Sequence, residues 1–138
     1  MIREYQETDL DQVTELWNLC FSNPGGHNSP HLSIQKKTAM DDGLFFVSES
    51  QGRVDGTVMA GWDGHRGWIY SMAVHPEKRR NGTGSALVDH ALDALSRRGC
   101  LKVNLQVLSS NTGVLDFYEK LGFKVEERIS MGKHLPPS

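Results

Sequence analysis

The stretch Val74–Leu87, VHPEKRRNGTGSAL, constrains this chain more than any other. It follows an apolar run, Ile69–Val74, that reads as a strand, and it leads into a helical pattern. Its centre is Arg79-Arg80-Asn81-Gly82-Thr83-Gly84. Glycines let the backbone approach a ligand closely, and a helix start adds its positive dipole end. Strand, basic glycine loop and helix in that order make a cradle for phosphate or pyrophosphate. The helix runs to about Arg97, and Leu101–Leu108 (LKVNLQVL) reads as the next strand. A strand–helix–strand crossover puts both strands in one sheet, parallel and adjacent.

Two common phosphate motifs fail here. The P-loop needs Lys and then Ser or Thr after its last glycine, but Ser85 and Ala86 follow Gly84. The dinucleotide fingerprint G-x-G-x-x-G has Leu87 where its third glycine belongs. What remains is R-x-x-G-x-G between a strand and a helix.

At 138 residues, 38% hydrophobic and 23% charged, the sequence fits one soluble globular domain, residues 1–138. A net charge of −2 argues against a nucleic-acid surface, although Lys78-Arg79-Arg80 is a short basic run. No apolar run approaches the ~20 residues of a membrane span. The N-terminus MIREYQETDL carries no hydrophobic signal region. Cys20 and Cys100 make no disulfide framework, and neither has a helix start or a His nearby in sequence. Both read as inert thiols in a reducing cytoplasm.

The chain in order begins with a strand at Ile2–Tyr5. Asp9 offers a helix cap, with Gln12 completing a capping box, and Leu10, Val13, Trp17 and Cys20 follow at helical spacing. Ser22–Ser33 reads as a long loop, with Ser33 capping a second helix, Ile34–Met40. Leu44–Glu49, Val54–Trp62 and Gly67–Val74 form an antiparallel meander through turns at Gln51-Gly52 and Asp63-Gly64. Alternation on the third strand groups Trp68, Tyr70, Met72 and Val74 on one face and Ile69, Ser71 and Ala73 on the other. On the helix after the loop, Leu87, Ala91, Ala94 and Leu95 form an apolar stripe that Gly99 ends. Asn111 or Thr112 caps a further helix with Val114, Phe117, Tyr118 and Leu121 inward, ended by Gly122. Phe123–Arg128 and Ile129–Leu135 supply the last strand or strands. The expected order is β-α-α-β-β-β-α-β-α-β(-β), an α/β (α+β) sandwich of mixed, largely antiparallel sheet and flanking helices.

The glycine loop, with its lead-in Val74-His75-Pro76, resembles the acyl-CoA loop of the GNAT N-acetyltransferases. Asn111–Phe123, NTGVLDFYEKLGF, resembles the second signature of that family, Asn-x-x-Ala…Tyr-Glu-x-x-Gly-Phe. Both signatures stand in the family's order, and the likeness spans about the whole chain. The middle and C-terminal half resemble the ribosomal-protein N-acetyltransferase branch. HPEKRR and DGHRG are similar to stretches of small bacterial members. Two departures are visible: Val114 replaces the family's Ala, and Gln106 stands where the ribosomal branch has Glu.

The resemblance implies transfer of acetyl from acetyl-CoA, as cosubstrate, to a primary amine by direct attack in a ternary complex. It implies no metal. Arg79, Arg80, Asn81, Gly82, Thr83, Gly84 and Ser85 would hold the pyrophosphate. Backbone of Met72, Ala73 and Val74 would meet the thioester, on a strand split from its neighbour. Asn111 and Tyr118 would complete the cosubstrate site, with Tyr118 the general acid. Gln106 cannot serve as a base, which leaves Asp63, His65, Glu49, His27 and His31 as candidates. Partners are acetyl-CoA and an amine acceptor, small molecule or protein, with no nucleic acid and no membrane, in a monomer or homodimer. The alternative is an acyl-CoA-binding module or sensor of the same fold without turnover; Gln106 favours it and Tyr118 opposes it.

Overall fold

A computed structural model describes residues 1–21 and 29–136. Two compact units divide the chain, Met1–Gln106 and Val107–Ser138. The first unit holds a five-stranded sheet in the order β1-β2-β3-β4-β5. Its strands are β1 (Ile2–Glu4), β2 (Phe45–Ser50), β3 (Arg53–Trp62), β4 (Gly67–Val74) and β5 (Val103–Asn104). The first three pairings are antiparallel and β4/β5 is parallel, as the crossover requires. Its helices are α1 (Leu10–Cys20), α2 (Pro30–Met40) and α3 (Thr83–Arg97). The second unit holds α4 (Thr112–Lys120).

The sheet buries both faces. Val13, Leu16 and Trp17 of α1 and Ile34 of α2 pack with Phe45, Val47, Val54, Met59 and Ala73. On the opposite face α3 lies close because β3 and β4 present glycines to it. A Cβ on Gly56 would stand 2.7 Å from Leu87 Cδ1 and 3.3 Å from Thr83 Cγ2. A Cβ on Gly67 would stand 2.8 Å from Cys100 Sγ and 3.2 Å from Leu95 Cδ1. Gly56 thus seats the start of α3 against the sheet, and Gly67 seats its end. The stripe on α3 is Leu87, Val88, Ala91 and Leu95, with Ala94 half-buried at its margin.

Several expected boundaries move. Asp9 stands at the N-cap of α1, as expected, but its side chain makes no cap bond there: its Oδ2 accepts from the Gln6 N–H at 2.8 Å across a short 3₁₀ helix, Glu7–Asp9. Gln12 is used elsewhere, its Oε1 accepting from the Val54 N–H at 2.9 Å. The second helix begins at Pro30, not Ile34. Ser29 caps it, accepting from the Leu32 N–H, and Pro30 fills the first turn, where its missing N–H costs nothing. The expected loop Ser22–Ser33 is therefore helical from Pro30 onward, and residues 22–28, with His27, lie outside the described residues. The strand expected over Leu101–Leu108 is reduced to Val103–Asn104, with the Lys102 carbonyl also accepting from the Gly67 N–H at 2.9 Å. Among the described residues no strand forms at Phe123–Arg128 or Ile129–Leu135, and Val125, Ile129, Met131 and Leu135 are exposed. Alternation assigns faces to a strand, but only a neighbour's hydrogen bonds make one.

One ion pair ties β1 to the start of α1. Arg3 Nη1 and Nη2 donate to Asp9 Oδ2 and Oδ1 at 2.8 and 2.9 Å, and Arg3 Nε reaches Glu49 Oε1 at 3.2 Å. Asp9 is 3% exposed, and Arg3 holds its carboxyl below the ordinary carboxylate range. A carboxyl with a lowered folded pKa stabilises the fold above about pH 4, and that contribution is lost as pH falls through the folded value. Asp9→Asn is expected to cost about 2 kcal/mol at pH 7, because Arg3 loses the more buried of its two carboxylate partners. Denaturant melts at pH 7 and pH 3 check this: the difference between wild type and variant should shrink in acid.

Candidate active site

The C-terminal half of β4 carries an irregularity in its pairing with β3. Thr57 faces Ala73 and Gly56 faces Val74, while Met59 faces Tyr70 and Ala60 faces Ile69. Val58 is thus opposed by two residues, Ser71 and Met72, which is a β-bulge. Ser71 is left-handed, with φ 50°. The bulge overturns the simple alternation. Thr57 and Met59 share a face of β3, so Ala73 joins Tyr70; Val74 joins Ile69 by the same argument. The β4–β5 register closes at Trp68↔Asn104, short of the bulge, and bulges commonly end pairing in this way. Ala73 and Val74 are buried and Met72 is half-buried, so their side chains serve packing.

After Val74 the chain passes through a short 3₁₀ helix, Pro76–Lys78, into the basic loop. Arg80 and Gly82 are both left-handed, with φ 69° and 81°. Gly82 is the N-cap of α3, and its carbonyl accepts from the Ala86 N–H at 3.0 Å. The N–H groups of Thr83, Gly84 and Ser85 have no partner within the helix, and a glycine cap has no side chain to offer them. They stand beside Arg79, Arg80 and Asn81 on an exposed loop. That donor set suits a doubly charged pyrophosphate.

Arg79 is already engaged. Its Nε donates to the Val74 carbonyl at 3.2 Å, and its Nη2 lies 3.7 Å from Cys20 Sγ. The Cys20 thiol donates to the same carbonyl at 3.4 Å. Arg79 therefore ties the loop back to the end of β4, with α1's last residue against it. Cys20 reads as a bystander from sequence because its contacts lie 54 and 59 residues away. Cys100 is buried.

The second unit presents α4. Asn111 caps it, accepting from the Val114 N–H at 3.3 Å. At the other end the Gly122 N–H bonds Glu119 O at 3.0 Å and the Phe123 N–H bonds Tyr118 O at 3.1 Å, a Schellman stop with Gly122 left-handed. Tyr118 is 6% exposed, with Phe117 and Phe123 edge-on at 4.9 and 5.5 Å between ring centroids. Burial pushes its phenol up to about 12.

The acetyltransferase (GNAT) family pattern matches residues 10–123, across both compact units. The chain belongs to the GNAT acetyltransferases. An acetyltransferase of Yersinia enterocolitica is 39% identical over 135 residues, 97% of this chain and 94% of that protein. Ard1 from Thermoplasma volcanium superimposes with a TM-score of 0.82 at 27% identity, covering 91% of this chain and 83% of its own. The ribosomal-protein-S18-alanine N-acetyltransferase of Escherichia coli gives 0.73 at 26%, covering 90% and 77%. The bulged β4, the glycine loop and the mixed sheet are thus set in a GNAT fold.

The candidate bases of this GNAT chain are scattered. Asp63 is exposed; its Oδ1 accepts from the N–H groups of Arg66 and His65 at 2.8 Å each, which lowers its pKa and makes it a weaker base. His65 and His31 are exposed, and Glu49 is held by Arg3. Gln106 is exposed, on the stretch after β5. Sequence reasoning missed Thr57, which is fully buried and touches the bulge through the Ser71 carbonyl at 3.0 Å. A signal existed: Thr57 is a polar residue at a buried strand position beside Met59, and buried hydroxyls find partners. Among the described residues no cluster of three or more His, Cys, Asp or Glu is placed to hold a metal, and no helix is long and apolar enough to cross a membrane.

Proposed function

We propose that the whole chain acts as one acyltransferase domain that moves acetyl from acetyl-CoA to a primary amine, by direct attack in a ternary complex. The observation that carries this is the glycine-started α3, with no side-chain cap, that follows the bulged β4 through the basic loop. In this reading the first-turn N–H groups of α3 and the flanking arginines hold the pyrophosphate. A backbone N–H of the Met72–Val74 stretch polarises the thioester carbonyl, and Tyr118 protonates the departing thiolate. Asn111 caps α4 and fixes the helix that carries Tyr118. Attack forms the amide C–N bond and breaks the C–S bond; the amine sheds a proton and the thiolate takes one.

Thiol release from acetyl-CoA, measured against peptides with free N-termini and against small amines, tests the proposal. Release that depends on amine, with acetyl recovered on the acceptor, is the expected result. Gln106 favours the second reading, a non-catalytic acyl-CoA module. Tight acetyl-CoA binding without release for any amine would select it.

The base question has its own expected outcome. Asp63 is a weak base, so deprotonation in solvent is the favoured route. An alkylamine with pKa ~10.4 is about 0.04% neutral at pH 7, which slows reaction without forbidding it. The logarithm of kcat/KM should then rise with unit slope up to the acceptor's own pKa and follow that pKa from one acceptor to the next. A bend at one fixed pH for every acceptor, lost in His65→Gln or Asp63→Asn, would assign an internal base instead.

A further inference from the structure

We infer that the Thr57 hydroxyl is a positioning group that aims the Ser71–Met72 peptide of the β4 bulge, so that the Met72 N–H is the donor to the acyl carbonyl. The inference rests on the proposed acetyl-CoA reading of β4.

Three groups stand in line. Trp17 Nε1 donates to Thr57 Oγ1 at 2.9 Å, and Thr57 Oγ1 donates to Ser71 O at 3.0 Å. The polarity of this chain is fixed by chemistry. An indole N–H only donates and a carbonyl only accepts, so the single Thr57 proton is committed to Ser71. Trp17 is 4% exposed and Thr57 0%, so water does not compete for either bond.

Ser71 needs such a hold. It is left-handed without being glycine, a conformation that persists only where its surroundings impose it. The registers on both sides of the bulge are pinned: Gly67 is wedged under Cys100 and Leu95, and Ala73 sits in the α1 core. The extra residue therefore cannot slip out, but its peptide plane can still rotate. In a trans peptide the C=O and the following N–H point in opposite directions, and no peptide among the described residues is cis. Thr57 pulls the Ser71 carbonyl toward β3 and the α1 face. The Met72 N–H is thereby turned the other way, off the β3 ladder. A donor fixed before the substrate arrives is what stabilises a developing oxyanion.

The experiment uses isotope-edited infrared spectra of bound acetyl-CoA carrying a ¹³C thioester carbonyl, alongside kcat and the Kd of CoA. In wild type the bound carbonyl band should lie lower than in solution. Thr57→Val keeps the shape and removes the hydroxyl; the band should move back toward its solution position, and kcat should fall by about tenfold or more. The Kd of CoA, which lacks the acyl carbonyl, should stay within about twofold of wild type. Thr57→Ser should restore both band and kcat. Thr57→Ala carries the same expectation as Thr57→Val if the latter fails to fold. A hydroxyl-free variant with an unshifted band and unchanged kcat overturns the inference, as does a loss that Ser does not rescue. A wild type that binds no acetyl-CoA at all refutes the underlying reading, a result distinct from either.

Discussion

Replacing Gly84 by glutamate is expected to abolish acetyl-CoA binding while leaving the fold intact. Gly84 is the second residue of α3, and its N–H is one of the first-turn donors without a helical partner. A glutamate there adds a carboxylate where the pyrophosphate is proposed to sit. The same substitution is mild for the helix itself, since Glu has better helix propensity than Gly and a negative charge suits the first turn. Loss of binding would therefore not reflect unfolding. Acetyl-CoA at 100 times its Kd should stabilise the wild type by about 2.7 kcal/mol, a rise in Tm of roughly 9 °C for a chain of this size. The variant should show no shift at the same concentration. Equal shifts in the two proteins would remove the pyrophosphate from the α3 loop.

Loop and helix starts were legible because their determinants are local. Gly82, Gly99 and Gly122 each stand where the backbone turns left-handed, and each is flagged by its place beside an apolar stripe. Pro30 misled for the opposite reason. In SNPGGHNSPHLS it counts as a loop residue, yet after a serine it is an ideal first helical residue. The bulge had no local signal at all. Serine carries no preference for φ 50°, so only the pairing of β4 with β3 reveals that Ser71 and Met72 share one partner. Its consequence reaches further than one residue, because a single insertion exchanges the faces of Ala73 and Val74. The Arg79–Cys20 contact was equally hidden, joining residues 59 apart. The short β5 and the C-terminal segments, which are not strands, show the converse limit. Their apolar alternation is real, but pairing is a property of two strands, and one sequence segment holds half of it.

Tyr118→Phe is expected to lower turnover by about a hundredfold or more while sparing acetyl-CoA affinity. The change keeps the ring that Phe117 and Phe123 flank and removes only the hydroxyl, so packing within the second unit should survive. Burial has pushed the phenol up to about 12, so at neutral pH it is a proton donor and never a base. A donor so weak does not protonate the intact thioester. In the proposed reaction it would transfer its proton only as the C–S bond breaks and the sulfur gathers charge, which would confine its contribution to the transition state and therefore to kcat. The same raised value gives the fold an alkaline signature. The unfolded phenol ionises near 10 and the folded one near 12, so the unfolded chain binds fewer protons between them and stability falls as pH rises from about 10 to 12. Tyr5, also pushed up to about 12, contributes in the same window, so Tyr118→Phe should flatten that fall in part and not wholly. Turnover and alkaline melting are thus two separate readings of one hydroxyl. Unchanged kcat at saturating substrates, with chemistry rate-limiting, together with the flattened alkaline melt would show a buried tyrosine with no part in the reaction.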